Sequence, residues 1–316
     1  MSAYEAARKG LAFRRRHERG VIRATGGDRL EWLNGLLTND LKPLEGGGAC
    51  YSVWLTPQGR MITDLIVIET GSETWLDVPA PLASTLSARL DGMIFAEDVR
   101  VADASRELTS VGLHGPGASS YLASPDPESI ARTDDGAILW AHAMASGLTG
   151  VHAYLSPARA AGLEESLAHA GGTPLDDDTA TVLRVEAGVP AFLIDMSDDT
   201  IPLEAGLDHA LSHTKGCYVG QEIIVRIRDR AHGRVARRLV GLSIEAELAP
   251  LAPQSVTSDS RQAGRLTTAV MSPALGRPVA LATLLRDFTE PGTRVSLEDG
   301  VAAVVTRLPF VPASLK

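Results

Sequence analysis

Eight consecutive residues, Lys215-Gly216-Cys217-Tyr218-Val219-Gly220-Gln221-Glu222, hold the densest chemistry in the chain. A thiol two residues from an ammonium and near the start of a helix is drawn toward thiolate, the form that attacks electrophiles and binds metals. Gly216 and Gly220 suit positive φ or a close approach of backbone to another group. Only four of the 30 basic residues are lysines, at 9, 42, 215 and 316. A compact ammonium at 215 therefore stands out, because arginine's planar fork binds differently. The competing reading of Cys217 is a small buried hydrophobe, the usual fate of a free cysteine.

Three other constellations invite chemistry. His209 and His213 stand four apart on an expected helix, with Cys217 four residues further on. Two imidazoles and a thiolate suit zinc, but no HExxH glutamate accompanies them and Gly216 should end the helix first, so no metal is expected. An iron–sulfur cluster usually takes four protein ligands, mostly thiolates, and the chain has two cysteines. Arg226, Arg228, Arg230, Arg234, Arg237 and Arg238 form a local basic run. It reads either as a receiver of carboxylates, phosphates or an acidic partner, or as a solvated face balanced by Asp229. Arg14-Arg15-Arg16-His17 is expected to be exposed. Leu113-His114-Gly115-Pro116-Gly117-Ala118 follows no phosphate-loop pattern and reads as a structural turn.

The elements that must position these residues are mixed. Strands are expected from Val21, at Ala49–Leu55 and Met61–Glu69, and at Trp75–Val78, Leu108–Leu113, Ile138–Ala143 and Val151–Leu155. Thr56-Pro57-Gln58-Gly59 makes the second and third a hairpin. Helices are expected after Asp28, at Ala80–Asp91, Pro116–Ala123, Pro157–Ala170 and Thr179–Ala187, and at Leu203–Ser212 opened by Pro202. Asp176-Asp177-Asp178 should cap the fifth of these and Gly188 should close it. Gly220-Gln221-Glu222 opens either a helix, with Glu222 and Arg226 paired at i, i+4, or a strand through Ile223-Ile224-Val225. Without a strict βαβ rhythm, the fold class is α+β. Beyond Arg237, five short β-type runs alternate with Pro/Gly turns, which reads as a small all-β module. The boundary gives domains at 1–236 and 237–316.

Composition narrows the function classes. At 316 residues and 33.4 kDa, with 44% hydrophobic and 22% charged residues, the chain is globular and about two domains long. No apolar run approaches the ~20 residues of a membrane span, and the N-terminal stretch has no apolar core for a secretory signal. A formal charge of −9 argues against bulk attraction to nucleic acid or anionic membrane. Cys50 and Cys217, far apart and outside any CxxC, fit reduced thiols in the cytoplasm.

Lys215 to Glu222, followed by Arg226, His232-Gly233 and Arg237-Arg238, resembles the hallmark of the folate-binding YgfZ proteins, members of the glycine-cleavage T-protein (aminomethyltransferase) superfamily. The resemblance extends through Gly27-Asp28-Arg29, Leu33 to Asp40, Thr56 to Arg60, Leu183 to Pro190, Pro202-Leu203-Glu204, Gly264 and Pro273, in order along nearly the whole chain. It implies a T-protein-like ring of subdomains around a central tetrahydrofolate site, with a C-terminal small β-barrel. It also implies that Glu186 faces the pterin, since a carboxylate accepts two parallel N–H donors from an aminopyrimidinone edge. Without the resemblance, Glu186 reads as a solvated helix residue paired with Arg184. Arg184, Gln221 and Arg226 complete the expected cofactor-side set, although Gln221 stands where aminomethyltransferases commonly carry a basic residue. Aminomethyltransferases typically follow the hairpin turn with adjacent aspartates; this chain has one acid there, Asp64. The cysteine of the octapeptide and the single acid favour the YgfZ branch, which assists maturation or repair of iron–sulfur enzymes and affects tRNA modification through them. Cys217 is then the functional thiol, assisted by Lys215, with reduced folate and iron–sulfur enzymes or their assembly factors as partners. The alternatives are a tetrahydrofolate-dependent aminomethyl- or methyltransferase using Asp64, and a folate-binding scaffold without catalysis.

Overall fold

The computed structural model describes residues 1–121, 129–134, 136, 138–142, 150–230 and 233–312. The first sheet is antiparallel, in the order β3 (Gly48–Leu55), β4 (Met61–Glu69), β5 (Thr74–Pro79), β2 (Arg19–Thr25), β6 (Arg100–Asp103). The second runs β11 (Thr173–Pro174), β1 (Ala12–Arg15), β7 (Thr109–His114), β10 (Gly150–Leu155), β9 (Leu139–His142), β8 (Ile130–Arg132). A closed barrel follows, β12 (Arg237–Ile244), β15 (Arg277–Leu285), β14 (Arg261–Ser272), β13 (Gln254–Ser258), β16 (Arg294–Leu297), β17 (Ala302–Thr306). Among the described residues six α-helices accompany them: α1 (Ala3–Lys9), α2 (Arg29–Leu36), α3 (Ala83–Asp91), α4 (Pro157–His169), α5 (Asp177–Glu186) and α6 (Gln221–Arg230). The class is α+β, as expected.

The β3–β4 hairpin is apolar on both faces because it lies between two cores. Cys50, Trp54, Leu65 and Val67 pack with Leu33 and Leu36 of α2 and Leu86 and Leu90 of α3. The alternate residues Tyr51, Val53, Leu55, Ile66 and Ile68 pack with Phe192, Met196, Tyr218 and Ile224. Strand alternation thus sends neighbouring side chains into different cores, and the second core carries the octapeptide and α6.

Several local expectations change. Leu203–Ser212 is not a helix: Pro202–Ala205 is a 3-10 turn closed by Gly206 at φ 72°, and Asp208–Ala210 is another. The left-handed glycine breaks the run, so His209 and His213 do not share a helix face. The ambiguous segment after Gly220 is helical, since burying Ile224 completely outweighs the weak helix preference of a β-branched run. Asp176 caps α5 through Thr179 N, whereas Asp28 precedes α2 but accepts from Asp98 N instead. β13 was not expected from its polar sequence; pairing with β14 and β16 closes the barrel around it. Arg16, expected on the surface, is buried in an ion pair with Asp77. His232 lies outside the described residues.

Candidate functional site

The octapeptide is locked onto the β3–β4 hairpin by glycines on both sides. Gly220 has φ 83°, and a Cβ there would come within 2.4 Å of the Thr56 carbonyl oxygen. Gly59, in the hairpin turn, has φ 73°, and its Cβ would lie 2.8 Å from Ile223 Cβ of α6. Each turn leaves room for the other, the close backbone approach that these glycines suggest. Gln221 Oε1 accepts from Tyr218 N at 3.3 Å and braces the turn, while Arg226 is exposed on α6.

Lys215 and Cys217 part company. Lys215 Nζ donates to the carbonyls of Asn34, Leu37 and Asn39 at 2.6, 2.7 and 2.7 Å, gathering backbone acceptors at and just beyond the end of α2. Carbonyls at a helix C-terminus lack partners in the helix and attract a cation. Burial pulls the ammonium down to about 8, against the charges of Asp40 and Cys50. Three carbonyl acceptors favour the charged form, because a neutral amine has only two N–H donors. With three donors used, none remains to hydrogen-bond a thiolate at Cys217. Neither cysteine is in a disulfide; Cys217 is exposed and Cys50 is buried.

Glu186 is fully buried, which removes the solvated reading, and its partner is not Arg184. Oε2 accepts from Tyr4 Oη at 2.7 Å and forms a short ion pair with Arg8 Nη2; Oε1 accepts from Ser272 Oγ at 2.5 Å and more distantly from Ala274 N at 3.4 Å. Burial and the adjacent Glu186 carboxylate push Tyr4 up to about 12. Arg184 turns instead to Asp195 at 2.5 Å, whose other oxygen accepts from Thr267 and Thr268 of β14 at 2.6 Å each. The end of α5 thereby fastens α1 and the barrel. Both Glu186 oxygens are engaged, so an aminopyrimidinone edge fits there only after Arg8 and Tyr4 withdraw.

Asp64 has a different setting. It is 5% exposed; Oδ2 accepts from Tyr51 Oη at 3.0 Å and Oδ1 from Arg19 Nη1 at 3.2 Å. Each oxygen keeps a lone pair, so the group can accept from a ligand as well. Behind it, Asp77 is bound by Arg19 Nε and Arg16 Nη1 at 2.5 Å each and by Tyr154 Oη at 2.6 Å. Burial works against the Asp77 charge, but Arg16 and Arg19 over-ride it and hold the carboxyl below its ordinary range. Burial, then Asp64, drives Tyr51 well above the usual phenol value, so it remains a donor. Next to this cluster, burial with the Arg14 and Arg16 charges lowers His114 to about 3. His209 stacks on Tyr51, ring centroids 5.4 Å apart. Nothing in the sequence marks Arg19, Tyr51, Asp77 or Tyr154 for this role, and Arg16 reads there as exposed; the one available signal is an acid inside the apolar strand Trp75-Leu76-Asp77-Val78. Among the described residues, no group of three or more His, Cys, Asp or Glu is arranged to hold a metal ion. No helix is long and apolar enough to cross a membrane among them either.

Residues 4–215 match the GCVT N-terminal domain, and residues 237–312 match the glycine cleavage T-protein C-terminal barrel domain. The aminomethyltransferase of Nostoc sp. is 29% identical over 99% of this chain and 88% of its own length. That of Pelodictyon phaeoclathratiforme is 30% identical over 94% and 86%. The crystal structure of glycine cleavage system aminomethyltransferase T from Bartonella henselae superimposes with a TM-score of 0.86, covering 98% of this chain and 88% of that one at 22% identity, which speaks for the fold.

Proposed function

From the premise that the chain belongs to the glycine cleavage T-protein family, we propose that it is a tetrahydrofolate-dependent aminomethyl- or methyltransferase whose reacting acid is Asp64. The observation that carries the reading is the Asp64 carboxylate, buried and braced by Tyr51 and Arg19 yet able to accept one more hydrogen bond at each oxygen. Relatives named aminomethyltransferase along nearly the whole chain support it. Tetrahydrofolate would supply the nitrogen that takes up the one-carbon unit. Asp64 holds or moves a proton at its carboxylate, Tyr51 orients it, and the surrounding burial strengthens those contacts by excluding water. No step is assigned to Glu186 while Arg8 and Tyr4 occupy it. Residues 1–236 would form the folate-binding unit, with 237–316 as the barrel attached through the end of α5.

A second reading follows from Cys217, whose thiol is exposed on a turn that Lys215 and Gly220 hold in place. In it, the protein is a cytoplasmic folate-binding protein of the YgfZ type that supports iron–sulfur enzymes, and tRNA modification through them. The discriminating experiment combines a tetrahydrofolate titration with an assay for methylenetetrahydrofolate released from an aminomethylated donor. Turnover that disappears in Asp64→Asn supports the first reading. Binding without turnover, together with lost iron–sulfur enzyme activity in cells carrying Cys217→Ser, supports the second. Binding with neither turnover nor an effect of Cys217→Ser leaves a folate-binding scaffold, and no binding of any reduced folate removes all three readings.

A further inference from the structure

Arg19 opens β2 and spreads its guanidinium over two acids from neighbouring strands. Nε reaches Asp77 Oδ1 at 2.5 Å, Nη2 reaches the Asp77 backbone carbonyl at 2.6 Å, and Nη1 reaches Asp64 Oδ1 at 3.2 Å. The two short contacts fix the guanidinium plane, and the third passes that orientation to Asp64. Asp77 cannot swing away, because Arg16 Nη1 and Tyr154 Oη hold its other oxygen. Two arginines balance two aspartates in the cluster, so its charges are compensated within a buried space.

We infer that Arg19 is the positioning residue for the Asp64 carboxylate: it fixes Oδ1 while Tyr51 fixes Oδ2, so the remaining lone pairs face a bound substrate in one direction. This rests on the reading in which Asp64 is the reacting acid. A rigid fork is suited to the task, since one planar group must reach both acids at once; a lysine has a single nitrogen to offer. Arg19 touches no reacting atom in this account and acts through Asp64.

The test measures steady-state turnover, tetrahydrofolate affinity and Tm for Arg19→Leu, Arg19→Lys, Asp64→Asn and the Arg19→Leu/Asp64→Asn double variant. Arg19→Leu should lower kcat about 10- to 100-fold, because acid–base catalysis depends on placing the group within hydrogen-bond reach, with KM and affinity within about threefold. Arg19→Lys should restore part of kcat. Added to Asp64→Asn, Arg19→Leu should lower kcat no further, as expected of residues acting as one unit. Unchanged kcat in Arg19→Leu, or the same loss in both backgrounds, overturns the inference while leaving Asp64 in place. Full turnover in Asp64→Asn overturns the reading of Asp64 and the inference with it. Where Arg19→Leu fails to fold, Asp77→Asn carries the test by loosening the guanidinium. A fall in kcat at constant KM supports the positioning role, and wild-type kcat overturns it.

Discussion

Glu186 and Asp64 are buried carboxylates that each meet one arginine and one tyrosine, and they are built for different work. Glu186 takes Tyr4 and Arg8 on one oxygen and Ser272 with Ala274 on the other, from α1 and from the end of β14 and its following turn. Asp64 takes one donor on each oxygen, Arg19 and Tyr51. The saturated acid joins segments of chain 182 and 86 residues away; the unsaturated one keeps capacity for a ligand. What separates a fastening from a reactive site here is the number of donors already engaged, since both groups are buried carboxylates.

The largest predicted effect would break that distinction if it failed. Asp64→Asn keeps the shape and the Tyr51 contact but loses the proton-carrying group, so turnover should fall about 10²- to 10⁴-fold. Glu186→Ala should act mainly on stability. Leaving Arg8 without its buried partner costs about 3–5 kcal/mol, which lowers Tm by about 2–4 °C per kcal/mol in a chain of this size class. A thermal melt checks it: an unchanged Tm with lost tetrahydrofolate binding would make Glu186 the ligand anchor and reverse the comparison.

A smaller effect should appear at alkaline pH. Tyr4 titrates near 12 in the folded chain because burial and Glu186 disfavour the phenolate, against about 10 when unfolded. The folded state therefore keeps its proton where the unfolded state loses it, and stability falls as pH rises from 10 to 12. The ring is partly solvated, so the effect is on the order of 1 kcal/mol after screening. Tyr4→Phe should remove this pH dependence; an identical alkaline slope in denaturation midpoints would show that the Tyr4–Glu186 contact contributes nothing to it.

The contrast also explains what could be read from the sequence. The β3–β4 hairpin, α5 with its Asp176 cap and the β-rich tail from Arg237 follow local rules of alternation, capping and turns, and they were legible. Gly220 announced a close approach, but not that its neighbour would be Thr56. The Asp64 network was hidden because Arg19 and Arg16 find Asp77 across 58 and 61 residues. Such pairings depend on which strands become neighbours, and periodicity within one strand carries no trace of them. Arg16 looked exposed for that reason. The same limit hid the partners of Lys215, whose acceptors lie 176 to 181 residues earlier in the chain.

The smallest effect sharpens the comparison within the octapeptide itself. Lys215→Met strips a cation from three carbonyls at and just beyond the end of α2, which should destabilise the chain by about 1–3 kcal/mol. Cys217→Ser, at an exposed position, should stay within about 0.5 kcal/mol. The decisive readout is the alkylation rate of Cys217, measured with iodoacetamide while Cys50 stays buried. Because the Lys215 ammonium spends its donors on Asn34, Leu37 and Asn39, the rate in Lys215→Met should match wild type within about twofold, as thiol reactivity follows local charge and access. A tenfold slower rate would mean that the ammonium serves the thiol after all, and that Lys215 belongs with Asp64 among the groups whose capacity is not exhausted by the fold.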